Sequence, residues 1–185
     1  HEAGVRCYLM MPRIFRKEAE QYFRKQMELL TSAGFDALGI GSMEEPGFLR
    51  EAGIELPMYF DQGMYSWNHL AGAAMERYGA DRLTIPVELN EREIRDSGVQ
   101  GEMIVYGYLP MMISAQCIRK TTIGCSGKSE IMWLKDRKDM RFPVVNQCRF
   151  CYNTIYNSAP LSLLGLSEQV TGLKPNAVRL NFTVE

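Results

Sequence analysis

The sequence predicts an α/β fold, a partial TIM-like (β/α) barrel carrying an inserted β-hairpin. Three observations predict it. Short apolar runs alternate with amphipathic stretches of helical period, at intervals of about 20 to 25 residues, the rhythm of parallel strands joined by right-handed crossovers. That rhythm breaks past residue 112 and returns near residue 176. The chain opens at His1 and stops in "RLNFTVE", which reads as a strand with its turn cut off, so a piece of a barrel is expected rather than a complete doubly wound sheet.

The elements follow in order. "VRCYLMMPR" (5–13) is a near-continuous apolar run ended by Pro and Arg, expected as a strand buried on both faces. Phe15, Ala19, Tyr22, Phe23, Met27 and Leu30 recur at three and four, predicting a helix over 15–32 stopped by Gly34. "FDALGIG" (35–41) is a strand, "SMEEPGFLREAG" (42–53) a helix opened by Ser42, and "PMYFD" (57–61) a strand. Trp67, Leu70, Ala71, Ala74, Met75 and Tyr78 form one stripe of a helix over 65–78 ended by Gly79, with Trp67 and the methionines assigned to the core. Residues 81–89, 90–98 and 102–112 read as strand, helix, strand. Beyond them, 129–136 and 140–145 form the inserted hairpin, 156–166 a helix with Pro160 in its first turn, and 176–184 the next barrel strand. The organisation expected is one domain over 1–185 with an insertion at about 113–155.

Composition bounds the function. The 21 Lys and Arg against 22 Asp and Glu give no overall basic field, although a local basic patch fits inside a neutral total. No apolar run approaches the roughly 20 residues of a membrane span and no leader opens the chain, so a cytoplasmic protein without a membrane partner is expected. Five cysteines, an odd number, argue against a secreted disulfide framework and point to metal or thiol chemistry. With His1 read as a tag remnant, His69 stands alone, which excludes a paired-histidine zinc protease motif.

Cys117, Cys125, Cys148 and Cys151 form C-x7-C-x22-C-x2-C and bracket the hairpin, while Cys7 sits apart inside the first strand and is expected as a small buried hydrophobe. Four thiolates suit a tetrahedral zinc ion or an iron-sulfur cluster, both of which need four soft anionic donors. A redox dithiol at Cys148 and Cys151 is the rival reading, and four unrelated thiols the plain one. The spacing leaves zinc and iron open.

"FDQGMYSWN" (60–68), "GADRLTIPVELNEREI" (79–94), "VYGYLPMMISAQC" (105–117) and "FPVVNQCRFCYNTIYNS" (142–158) together resemble peptidase family U-32, the collagenase-like peptidases of unassigned catalytic type, and most closely a branch with C-terminal extensions. The resemblance implies a TIM-like barrel of which these residues form the later part, the remainder coming from the same full-length chain. It implies either the labelled protease activity or an oxygen-independent hydroxylase that modifies RNA bases or a small aromatic ring. Such a hydroxylase would use a 4Fe-4S cluster held by four cysteines, with prephenate as oxygen source. By position, Cys117 matches the cysteine closing the family's C-x-x-Y-S-G-R-C segment and Cys148 the one in its N-x-G-x-C pattern. Pro110 stands where the first segment opens with cysteine, so Cys125 and Cys151 would complete the ligand set differently.

A (β/α) barrel builds its site at the C-terminal ends of its strands. Those ends carry Arg13, Asp61 with Gln62, Glu88 with Asn90, and Tyr108, and Cys117 follows the last of them, which would set a cluster beside the barrel mouth. Asp61 and Glu88 are the carboxylates expected to position or deprotonate substrate, and Arg13 to meet a carboxylate; a helix cap or a surface acid is the plainer role for either acid. Asn68 either faces the mouth or bonds its own loop. "KDRKD" (135–139) reads as a solvated hairpin tip that an RNA phosphate could approach, and Arg149 as an offset to cluster charge. Three functions follow: a cluster-dependent hydroxylase, a peptidase, and a zinc-stapled module without chemistry.

Overall fold

The computed structural model describes residues 4–184; His1 and Glu185 lie outside them. Among the described residues the strands are β1 (Tyr8–Met10), β2 (Ala37–Ile40), β3 (Met58–Phe60), β4 (Ala80–Leu83), β5 (Glu102–Gly107), β6 (Pro110–Ser114), β7 (Ile131–Lys135), β8 (Arg141–Gln147), β9 (Tyr152–Tyr156), β10 (Leu161–Ser162) and β11 (Ala177–Asn181). The helices are α1 (Lys17–Lys25), α2 (Met27–Ser32), α3 (Glu44–Glu51), α4 (His69–Arg77), α5 (Glu91–Ser97), α6 (Ile118–Thr122) and α7 (Ser167–Gly172). The chain divides into two compact units, one running up to Met103 and taking in Glu168–Val178, the other Ile104–Ser167 with the residues from Arg179 on.

The first unit is a mixed α/β structure whose sheet has the order β1-β2-β3-β4, all parallel. β2 lies between two neighbours, and Ala37, Leu38 and Ile40 are completely buried, as an inner parallel strand requires. Leu30, Phe48, Leu49 and Phe60 complete the core. The rhythm continues past β4, where Thr84 bridges Glu102 in parallel. Gly34 and Gly79 take positive φ, ending their helices as expected, and Gly98 does the same after α5.

Three sequence expectations fail here. The first strand is three residues long and is not buried on both faces: it is the edge of this sheet, with Tyr8 and Met10 exposed. The helix expected over 15–32 divides at Gln26, which leaves helical geometry and donates its N–H to the Phe23 carbonyl. α4 begins only at His69, because Tyr65 turns left-handed (φ 54°); Trp67, Leu70 and Tyr78 are exposed, and Gly72 is the buried contact, beneath Val99 and Leu83.

In the second unit the hairpin forms from β7 and β8 in antiparallel register, its tip fixed by Asp136 Oδ1, which accepts the Lys138 and Met140 N–H groups. β9 and β6 extend it to a four-stranded antiparallel sheet of order β6-β9-β8-β7. The strand expected over 102–112 breaks at Gly107 (φ 129°), where any Cβ would fall on the Asn181 carbonyl, so β5 and β6 join different sheets. The helix expected over 156–166 is absent. Leu161 and Ser162 pair instead with Gly107 and Tyr106 as β10, Leu164–Leu166 make one 3₁₀ turn, and α7 follows. No helix among the described residues is long and apolar enough to cross a membrane.

Candidate functional site

The C-terminal ends of β1, β2 and β3 bring together Arg13, Gly41, Glu45, Asp61, Gln62 and Gly63. Asp61 is buried and its Oδ2 stands 3.4 Å from Arg13 Nη2. The arginine can reach it because glycine leaves room: a Cβ at position 41 would lie 3.4 Å from Arg13 Cδ, and one at position 63 would fall on Arg13 Nη1. Gln62 is buried beside this pair in sequence, and its Oε1 has no hydrogen-bond partner.

Glu45, which the sequence reading missed, is the most perturbed acid here. It is completely buried, accepts the Gly41 N–H at 2.8 Å on Oε2 and the Ser42 hydroxyl at 3.2 Å on Oε1, and is pushed up to about 8 by desolvation, which outweighs both donors. In sequence it looks like an ordinary first-turn helix acid; its donors come from the turn just before it, and its complete burial is not marked by residue type or spacing. The other expected residues divide. Asn68 caps α4, its Oδ1 accepting the Ala71 N–H at 2.9 Å. Asn90 caps α5 in a reciprocal capping box with Glu93. Glu88 is exposed and makes no hydrogen bond or ion pair among the described residues.

The four cysteines lie in the second unit. Cys148 and Cys151 occupy the turn joining β8 to β9, and Cys151 adopts left-handed φ 55°. Cys117 caps α6, its Sγ accepting the Lys120 N–H at 3.4 Å, and Cys125 follows in the loop toward β7. All four are free thiols. Cys148 Sγ donates to the Lys128 carbonyl at 2.9 Å, and its thiol is pushed up first by burial, then by Cys125, Cys117, Glu130 and Cys151, so the other three sulfurs all lie within electrostatic reach of it. Among the described residues no three His, Cys, Asp or Glu side chains stand together in metal-holding geometry. Cys7, expected buried inside the first strand, instead precedes β1 and is exposed, because β1 is a short edge strand.

Charge is unevenly distributed. Between residues 104 and 167 the chain carries eight Lys and Arg against three Asp and Glu, although its total is −1. Arg119, Lys120, Lys128 and Arg149 fall within three residues of a cysteine in sequence.

A parallel α/β sheet with polar strand ends, joined in one chain to a cysteine-rich antiparallel sheet, defines an enzyme-like α/β protein with a thiol-rich element. The chain matches the profile of peptidase family U32 over residues 1–174, and it belongs to that family. No curated protein and no solved structure matches it.

Proposed function

We propose that this chain is part of an oxygen-independent, cluster-dependent hydroxylase acting on an RNA base or a small aromatic ring. The observation that carries the reading is the gathering of four free cysteines from separate segments around Cys148. Their donor chemistry fits an iron-sulfur cluster, and Cys117, Cys125, Cys148 and Cys151 would hold it. When bound, the cluster supplies one-electron chemistry, with prephenate as the oxygen source that the family resemblance implies.

The chain's own residues would do the rest. Arg13 would present a guanidinium to a carboxylate, a group that prephenate carries, with Asp61 fixing its orientation. Glu45, neutral near pH 7, holds a proton in a water-poor pocket at the end of β2. The excess of Lys and Arg around the cysteines supports a polyanionic substrate and so favours RNA over a free ring. Such a catalyst belongs at the mouth of a (β/α) barrel, the architecture proposed for the whole enzyme, in the cytoplasm.

The family's peptidase description favours hydrolysis as a second reading. Against it, His69, the one histidine among the described residues, is exposed and hydrogen-bonds nothing described, and the buried Ser66 hydroxyl is committed to the Thr84 carbonyl at 3.2 Å. Anaerobic preparation followed by metal and sulfide analysis separates the readings. Brown protein with about four iron and four sulfide per chain is expected, falling at least tenfold in Cys148→Ala. Colourless protein with one zinc would support the staple instead, and casein cleavage undiminished in Cys148→Ala would remove the cysteines from the activity.

A further inference from the structure

One row of side chains crosses the second unit's sheet from edge to edge. Ser114 on β6 is in register with Asn153 on β9, Asn153 with Asn146 on β8, and the Asn146 N–H donates to the carbonyl of Glu130, the residue before β7, at 3.0 Å. Residues in register share a face, so these four form a polar rung. Its neighbours on that face, Val144 and Ile155, are apolar.

The two central members are almost wholly buried, Asn146 at 1% and Asn153 at 0% exposure. Asn153 Nδ2 donates to the Gln116 carbonyl at 2.7 Å, which fixes the orientation of its amide, yet its Oδ1 has no partner. Asn146 has none at either Nδ2 or Oδ1, so turning the amide over would satisfy nothing. An orphaned buried polar atom costs about 1–3 kcal/mol. A side chain as apolar as Val144 would avoid that penalty, so the amides answer to something other than packing.

What surrounds the rung identifies it. Cys117 adjoins Gln116, which accepts from Asn153; Cys125 adjoins Ser126, whose hydroxyl donates to Glu130 at 3.2 Å; Cys148 lies two residues after Asn146 and Cys151 two before Asn153. Arg119, the second residue of α6, is ion-paired with Glu130. Every cysteine of the set is therefore tied, within two residues, to the rung or its immediate partners.

We propose that Asn146, supported by Asn153, is a positioning residue that donates its amide N–H to the sulfur of whatever the four cysteines hold. It would lie beneath the group and offset its negative charge. This rests on the reading of the cysteines as a cluster site and extends it, because the cysteine spacing alone assigns the asparagines no task. Donors to cluster sulfur stabilise the more reduced, more negative state and raise the reduction potential.

The test uses the full chain, reconstituted anaerobically with iron and sulfide. Asn146→Leu is expected to keep its iron content but to show a more negative midpoint potential than the unsubstituted chain. Should that variant fail to fold, the unsubstituted chain labelled with 15N-asparagine decides: the reduced cluster is expected to show a 15N hyperfine coupling in pulsed EPR. An unchanged potential at equal iron content, or no such coupling, overturns the proposal. If the chain takes up zinc in place of iron, the cluster reading fails by itself, and the asparagine proposal is then read from alkylation of the zinc-bound thiolates by iodoacetamide, faster in Asn146→Leu if it holds and unchanged if it does not. A chain that binds neither metal defeats both.

Discussion

The polar groups at the strand ends of the first unit and those around the cysteines of the second are held in opposite ways. At the strand ends most demands are met within the chain: Arg13 with Asp61, Glu45 with Gly41 and Ser42, Asn68 with Ala71, Asn90 with Glu93, leaving the Gln62 Oε1 as the exception. Around the cysteines the chain leaves amides orphaned, a cysteine in left-handed backbone and a thiol pushed up first by burial and then by its neighbours. The first set needs no partner from outside the chain, whereas the second is of the kind that the proposed cluster would satisfy.

The sharpest way to break that comparison is through Glu45. Burial raises its pKa in the folded chain from 4.5 to about 8, so the folded state holds a proton that the unfolded state has released between those values. Its stability contribution is complete below about pH 4.5 and is lost as pH rises through about 8. The displacement limits the effect to about 5 kcal/mol. Glu45→Gln should flatten this dependence, measured by urea melts from pH 5 to 9; an equally steep profile in the variant would show that another group titrates.

Next comes Asp61→Asn, which leaves the Arg13 guanidinium without its buried counter-charge and should destabilise the chain by about 2 kcal/mol, within the range for stripping a part-buried charge of its partner. Equal denaturation midpoints for variant and parent would mean the pair contributes no net stability. Cys151→Gly probes the other region in the opposite direction. Glycine occupies left-handed backbone without the roughly 1–2 kcal/mol penalty of a side chain, so the metal-free variant should be more stable by about 1 kcal/mol while losing its metal. Stability gained without metal lost would detach Cys151 from the ligand set. Smallest is Asn68→Ala, expected to cost about 1 kcal/mol through the lost α4 cap, with Asn68→Ser recovering most of it. If serine restores the melting temperature but not activity, Asn68 does more than cap.

Much of this was legible in the sequence for local reasons. The helix stops at Gly34 and Gly79 follow from backbone freedom, and the β7–β8 hairpin from its alternation around a charged tip. The cysteines were legible as residue types at short spacing. What escaped depends on tertiary pairing. Pro160 suits a helix start, but Leu161 and Ser162 gain partners on β5, and the strand wins. Glu45 is one of two adjacent acids, Glu44 and Glu45, and the packed fold buries the second while the first stays exposed. Asn146 and Asn153 are unremarkable in "NQCRFCYN" until β8 and β9 set them face to face.

The glycine at position 63 carries a consequence for every relative of this chain. Arg13 occupies the space that any larger residue there would need. The two sites, fifty positions apart, are therefore linked. A homologue that acquires a methyl group at the equivalent of 63 must swing its guanidinium aside, a small movement at the far end of a flexible side chain that re-aims the cation without removing it.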